Sequence, residues 1–167
     1  MAAFDMEPLL LKLLSSIILF RGLETDDLAE LLRGATKAPF PAGSLVFGEG
    51  QAGHALYVVV TGRFEVFKTV APGSTAHIAF VDPGEHFGEM ALVTERPRTA
   101  SVRAVADSVA LRLTKGALFD QPRLAAPLLK NIAALMSDHL REMNQEVLLL
   151  DVTRVEKKRL TDSQVTG

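Results

Sequence analysis

Hydrophobic residues along the chain change their period twice. From Leu9 to Phe20 they crowd together, interrupted by Lys12, Ser15 and Ser16, which predicts an amphipathic packing helix over Pro8–Phe20. A second helix is predicted from Thr25, whose hydroxyl can cap it, with Asp26 and Asp27 in the first turn, where the helix dipole favours acids. Leu28, Leu31 and Leu32 supply its apolar stripe, and Gly34 can end it. Beyond Pro41 the texture changes. Eight of the twelve glycines lie between Gly43 and Gly88 and separate short runs rich in Val, Phe, Ile and Leu, so this region reads as strands and turns. The predicted strands are Ser44–Phe47, Ala55–Thr61, Arg63–Thr69, Thr75–Val81, Thr99–Ala104 and Val109–Leu113. That pattern suits a sandwich, a jelly roll or a barrel. After Gly116 a helical period returns: Leu129, Ile132, Met136, Leu140, Met143, Val147 and Leu150 recur in steps of three and four. The average step also suits a coiled-coil seam, and a dimer contact is predicted there.

Length and composition bound the class. With 167 residues, 48% of them hydrophobic, the chain can bury one real core. It divides into N-terminal helices over 1–40, a β-rich body over 41–115, helices over 116–153 and a polar, frayed tail over 154–167. A formal net charge of −2 gives no reason to expect a nucleic-acid partner. The absence of cysteine excludes disulfides, thiolate metal sites and thiol catalysis, and fits a cytoplasmic location. The run to Phe20 falls short of the roughly 20 apolar residues that a membrane span needs. Met1–Pro8 carries Asp5 and Glu7 where a signal peptide would carry basic residues.

The chemistry concentrates between Gly88 and Ala100. Gly88 can open a short helical turn and lets the backbone come close to a ligand. Amides at such a start present donors to an anion. Glu89, ionised, only accepts hydrogen bonds and so suits sugar hydroxyls. Arg98, after Pro97, carries a permanently charged planar fork that matches two phosphate oxygens. Arg98, Ala100, Val102 and Ala104 share one parity, so a half-buried strand from Thr99 would turn Arg98 toward the core. A buried guanidinium asks for an anion, and the competing partner is an internal acid such as Glu89 or Glu95.

The stretch Phe87-Gly88-Glu89-Met90-Ala91-Leu92, followed by Pro97-Arg98-Thr99-Ala100, resembles the phosphate-binding cassette of the cyclic nucleotide-binding domain family, which includes the sensor domain of the catabolite activator protein. The resemblance spans about Leu19 to Leu150. It implies an α+β, mainly β fold: a jelly-roll β-roll with N-terminal helices and a long C-terminal helix, the cassette lying at 87–100. It assigns the ribose 2′-hydroxyl to Glu89. The cyclic phosphate falls to Arg98 with the backbone of Gly88, Met90, Ala91 and Thr99, and Ala100 completes the set. Val81 would support the purine from the β side, and Leu140 and Arg141 from the helix. The implied ligand is cyclic AMP, with cyclic GMP open because Thr99 offers a hydroxyl to a guanine. The implied role is a regulatory one without catalysis or cofactor, signalling through movement of Leu128–Leu150 to an unnamed effector. Leu149-Leu150-Asp151-Val152-Thr153 resembles the hinge before the activator's DNA-reading domain, yet too few residues follow for a helix-turn-helix. The chain is then a standalone receptor or a piece of a longer one, and no nucleic-acid contact is assigned to it.

Other motifs carry less. Gly48-Glu49-Gly50-Gln51-Ala52-Gly53 matches G-x-G-x-x-G as a string, but Val58-Val59-Val60 follows almost at once, so these glycines are expected in a turn between strands. His86 and Glu89 stand three apart, but no H-x-H pair exists, and neither a metal site nor a cupin-type metal enzyme is favoured. No nucleophile motif is present; Ser74 falls in the turn Pro72-Gly73-Ser74. Arg154, Lys157, Lys158 and Arg159 alternate with Asp151 and Glu156 and read as a solvated helix face. A ligand-free dimerisation or docking module of the same fold is the remaining alternative, against which Glu89 and Arg98 argue.

Overall fold

The computed structural model describes residues 7–94 and 96–165, with side chains except at 146 and 149–165. The Glu95 alternative, the Leu150 end of the seam and the Arg154–Arg159 cluster therefore lie outside the described side chains. Two compact units make up the chain, Met1–Asn131 and Ile132–Gly167.

In the first unit, α1 (Glu7–Ser16) ends earlier than its apolar pattern predicts, and Ile18–Phe20 form a separate 3-10 turn. The cause is local. The Ser15 and Ser16 hydroxyls donate to the carbonyls of Lys12 and Leu13 at 2.8 and 2.7 Å, and Ile17 is extended. Helix α2 (Thr25–Gly34) buries Leu28 and Leu31. Its cap is Glu24, not Thr25: the Glu24 amide donates to the Asp27 carboxylate at 3.3 Å, and Thr25 is already helical.

Eight strands follow: β1 (Thr36–Phe40), β2 (Leu45–Phe47), β3 (Ala55–Thr61), β4 (Phe64–Ala71), β5 (Ser74–Val81), β6 (His86–Phe87), β7 (Ser101–Ala104) and β8 (Ser108–Thr114). They form two four-stranded antiparallel sheets, ordered β1-β8-β3-β6 and β2-β7-β4-β5. Strands β1 and β6 are absent from the predicted set, and β7 starts two residues later than predicted. Phe47, Val59, Phe64, Phe87, Val102, Ala104 and Ala110 form a buried core drawn from both sheets. The β3–β4 hairpin closes on Gly62 (φ +82°), where an added Cβ would run into the Ser108 side chain. The Gly48–Gly53 string joins β2 to β3 as a turn.

Helix α3 (Met90–Val93) sits between β6 and β7. Helix α4 (Lys115–Phe119) is capped by the Thr114 hydroxyl, which accepts from the Ala117 amide at 3.2 Å. Helix α5 (Pro122–Val165) starts on a proline, which suits a first helical position. Asn131, at the end of the first unit, donates to the carbonyls of Leu19 and Arg21 at 2.9 and 2.8 Å. The second unit is the remainder of α5. Helix continues to Val165 where the sequence predicts a frayed tail from Arg154.

Candidate functional site

Three segments converge on Arg98: the β2–β3 turn, the β6–α3 junction and the loop before β7. The Arg98 amide donates to Gln51 O at 2.8 Å, and the Gly50 amide donates to Arg98 O at 2.9 Å. This pair fixes the backbone of Arg98 against the β2–β3 turn. Its side chain points inward for that reason, since the strand whose parity predicted it begins only at Ser101.

Arg98 is only 7% exposed. Nη1 donates to Gly88 O at 2.8 Å and Nη2 to Ala55 O at 2.7 Å. Nε is buried and finds no hydrogen-bond partner among the described residues. Among the described residues, two of the five guanidinium N–H groups are thus engaged. Among the described residues no carboxylate lies within salt-bridge distance of Arg98. Burial lowers its pKa, with Tyr57 and Glu89 pulling the other way.

The backbone around the cation leaves no room for a side chain. At Gly88 (φ +87°) a Cβ would come within 2.6 Å of Arg98 Nη1. At Gly53 it would come within 2.6 Å of both Arg98 Nε and the Ala91 Cβ. A buried cation with an orphan donor, enclosed by two glycines, is a cradle for an anion.

The other predicted residues take different places. Glu89 is half-buried at the start of α3, and among the described residues no hydrogen bond occupies its carboxylate. The first amides of α3 have no intrahelical acceptor. Ala91 is buried against Gly53, whereas Met90 is exposed, with its sulfur 3.9 Å from Thr99 Oγ1. Thr99 is exposed and Ala100 half-buried. Burial also lowers the pKa of neighbouring His86, against the attraction of Glu89 and Glu85. Val81 lies in the core cluster with Phe64 and Phe87 and also lines a surface cavity with Ile17, Phe80 and His86. Leu140 and Arg141 belong to the second unit, where both are exposed and Arg141 pairs with Asp138 at 2.7 Å. Sequence reasoning passed over Phe47, Gly53 and Ala55. The glycine-rich string was visible, but only as a turn.

Among the described residues no group of three His, Asp or Glu could hold a metal, and no helix is long and apolar enough to cross a membrane. Half-buried acceptor, orphaned buried cation and free helix-start amides together suit a ligand carrying an anion and a hydroxyl.

The family model of the cyclic nucleotide-binding domain matches residues 37–121. The cyclic AMP receptor protein of Thermus thermophilus is 36% identical over 132 residues, 79% of this chain. The chain spans only 61% of that receptor's length. A cAMP-activated global transcriptional regulator from Mycobacterium tuberculosis is 28% identical over 157 residues, covering 89% of this chain and 68% of the regulator. The crystal structure of the Thermus thermophilus catabolite activator protein superposes with a TM-score of 0.73 at 35% identity, covering 80% of this chain and 63% of that one. The cassette, the roll around it and these matches lead to one conclusion: the chain belongs to the cyclic nucleotide-binding domain family.

Proposed function

We propose that this chain is a cyclic nucleotide receptor domain, with cyclic AMP as its first ligand and cyclic GMP as the alternative. The observation that carries the proposal is Arg98, a buried cation with spare donors and no acid beside it among the described residues. A cyclic phosphate supplies the missing charge. Glu89 takes the ribose hydroxyl, and the amides of Gly88, Met90, Ala91 and Thr99, beside Ala100, complete the grip. Each charge-assisted hydrogen bond is worth roughly 1.5–3 kcal/mol. The names of the relatives favour adenine, since they are described as a cyclic AMP receptor and a cAMP-activated regulator. Thr99 keeps guanine in play through its exposed hydroxyl.

The role is regulatory and not enzymatic, in the cytoplasm, with no direct nucleic-acid contact by this chain. The signal leaves through α5, whose Leu140 and Arg141 are the helix-side candidates for the purine. A ligand moves that helix only by binding its two positions unequally. Homodimerisation through α5 follows from Leu140, Met143 and Val147, exposed at 61%, 53% and 55% on one stripe. Ile132, on the same stripe, is already buried within the single chain.

Calorimetric titration of the purified chain with both nucleotides tests the proposal. The expected result is saturable binding at one site per chain, lost in Arg98→Ala. No heat with either nucleotide leaves a ligand-free dimerisation or docking module as the better account.

A further inference from the structure

Arg98 is 7% exposed, so its charge needs compensation, and no carboxylate among the described residues supplies it. Two carbonyl oxygens provide part of it, from Gly88 and Ala55. The rest has an aromatic source. The Arg98 Cζ lies 3.9 Å from the centroid of the Phe47 ring, well inside the distance at which a π face attracts a cation. The attraction is largest where water is excluded, and Phe47 is itself only 8% exposed.

Phe47 is in turn held from behind. Its ring lies 6.0 Å from Tyr57 and 5.9 Å from Phe87 between centroids, and those two rings stack at 5.2 Å with 12° between planes. The three aromatics come from β2, β3 and β6, so the platform joins both sheets. We infer that Phe47 is a positioning residue for Arg98: its ring face replaces the internal counter-ion and holds the guanidinium plane while the spare donors stay available. An acid in that place would satisfy the same cation but compete with an incoming phosphate. A π face attracts the cation without taking its N–H groups.

The inference rests on the receptor proposal only in its ligand arm, and two measurements on the full chain separate the parts. The first is a double-mutant cycle in urea unfolding without ligand, using Phe47→Leu and Arg98→Met. Leucine keeps most of the apolar volume and removes the face. A direct interaction makes the paired change non-additive by about tenfold or more in the unfolding constant. Additivity within about twofold overturns the inference. The second is affinity for cyclic AMP in Phe47→Leu and Phe47→Tyr. Tyrosine retains the face and is expected to bind within about threefold of the parent, while leucine loses about tenfold or more. Equal affinity in the two variants overturns the inference. If Phe47→Leu does not fold, Phe47→Met takes its place in both arms. Absence of nucleotide binding by the parent chain, with the cycle still non-additive, sinks the receptor proposal and supports Phe47 as the partner of Arg98.

Discussion

Gly53→Ala is the substitution that most economically separates a cradle from a mere turn. Gly53 does not have a positive φ, so alanine meets no backbone strain there, and the whole effect is steric. Its Cβ would lie 2.6 Å from the Ala91 Cβ, 2.6 Å from Arg98 Nε and 2.7 Å from Arg98 Cζ. Carbon atoms in contact settle at about 3.5–4.0 Å, so the shortfall is roughly 1 Å on two sides at once. The Arg98 end can yield only by leaving Ala55 O, Gly88 O and the Phe47 ring. The Ala91 side can yield only by moving α3 outward, because a Cβ has no freedom apart from its backbone. Overpacking of this kind costs about 1–3 kcal/mol. That corresponds to roughly fivefold to 150-fold in an equilibrium constant. Urea denaturation and calorimetry with cyclic AMP read the two parts, and both are expected to fall. Gly48→Ala serves as the control, because its nearest neighbour is the Gln51 side chain at 3.7 Å. Parent-like stability and affinity in Gly53→Ala would refute the cradle.

Four further outcomes follow from the same geometry. Glu89→Gln keeps the shape but trades one acceptor oxygen for a donor, so nucleotide affinity is expected to fall about tenfold in calorimetry while the melting temperature holds. Arg98→Met removes a buried cation that has no acid partner among the described residues; the ligand-free melting temperature should change by only a few degrees while binding disappears, and a collapse of the fold would contradict this. Gly62→Ala combines a left-handed φ with a Cβ 2.6 Å from the Ser108 Cα, and urea denaturation should show a loss of roughly 2–6 kcal/mol. Acid weakens the fold through two groups. Hydrogen bonds from His77 and Arg103 lower the pKa of Glu65, so its contribution is full above about pH 4.3 and vanishes as pH falls through the lowered value. Burial lowers that of His86, so the unfolded chain takes up its proton first and stability declines as pH drops below about 6.5. Melting curves of His86→Gln should flatten between pH 7 and 5, and an unchanged slope removes His86 from the account.

Much of the roll was written in the hydrophobic alternation. Strand β3 matches its predicted limits at both ends because Ala55–Thr61 is bounded by a glycine-rich turn and by Gly62. Strand β1 was invisible for the opposite reason: Thr36 to Phe40 is an edge strand with no buried residue, and the partly buried pair Ala38 and Phe40 is too short an alternation to read. Strand β6 has two residues and cannot show a period at all. The end of α1 depended on serine hydroxyls reaching back to carbonyls, which competes with a run that reads as one apolar helix. Arg98 was placed inward through strand parity, whereas the actual constraint is a backbone pair with the β2–β3 turn. The second role of Gly53 is a close approach between segments 38 and 45 residues apart in sequence, and a single sequence does not distinguish that from a turn. The same holds for Phe47, whose ring gains its meaning only when β2 meets the loop before β7. Val81, assigned to the purine by resemblance, belongs to the core cluster and also lines a surface cavity with Phe80 and His86.

A crystal structure of the chain grown with cyclic AMP tests the central claim most directly. The predicted result is a phosphate within hydrogen-bonding distance of Arg98, the Glu89 carboxylate on the ribose 2′-hydroxyl, and the Phe47 ring still against the guanidinium. An empty cradle at saturating nucleotide, or Arg98 paired with a carboxylate of its own chain, contradicts it.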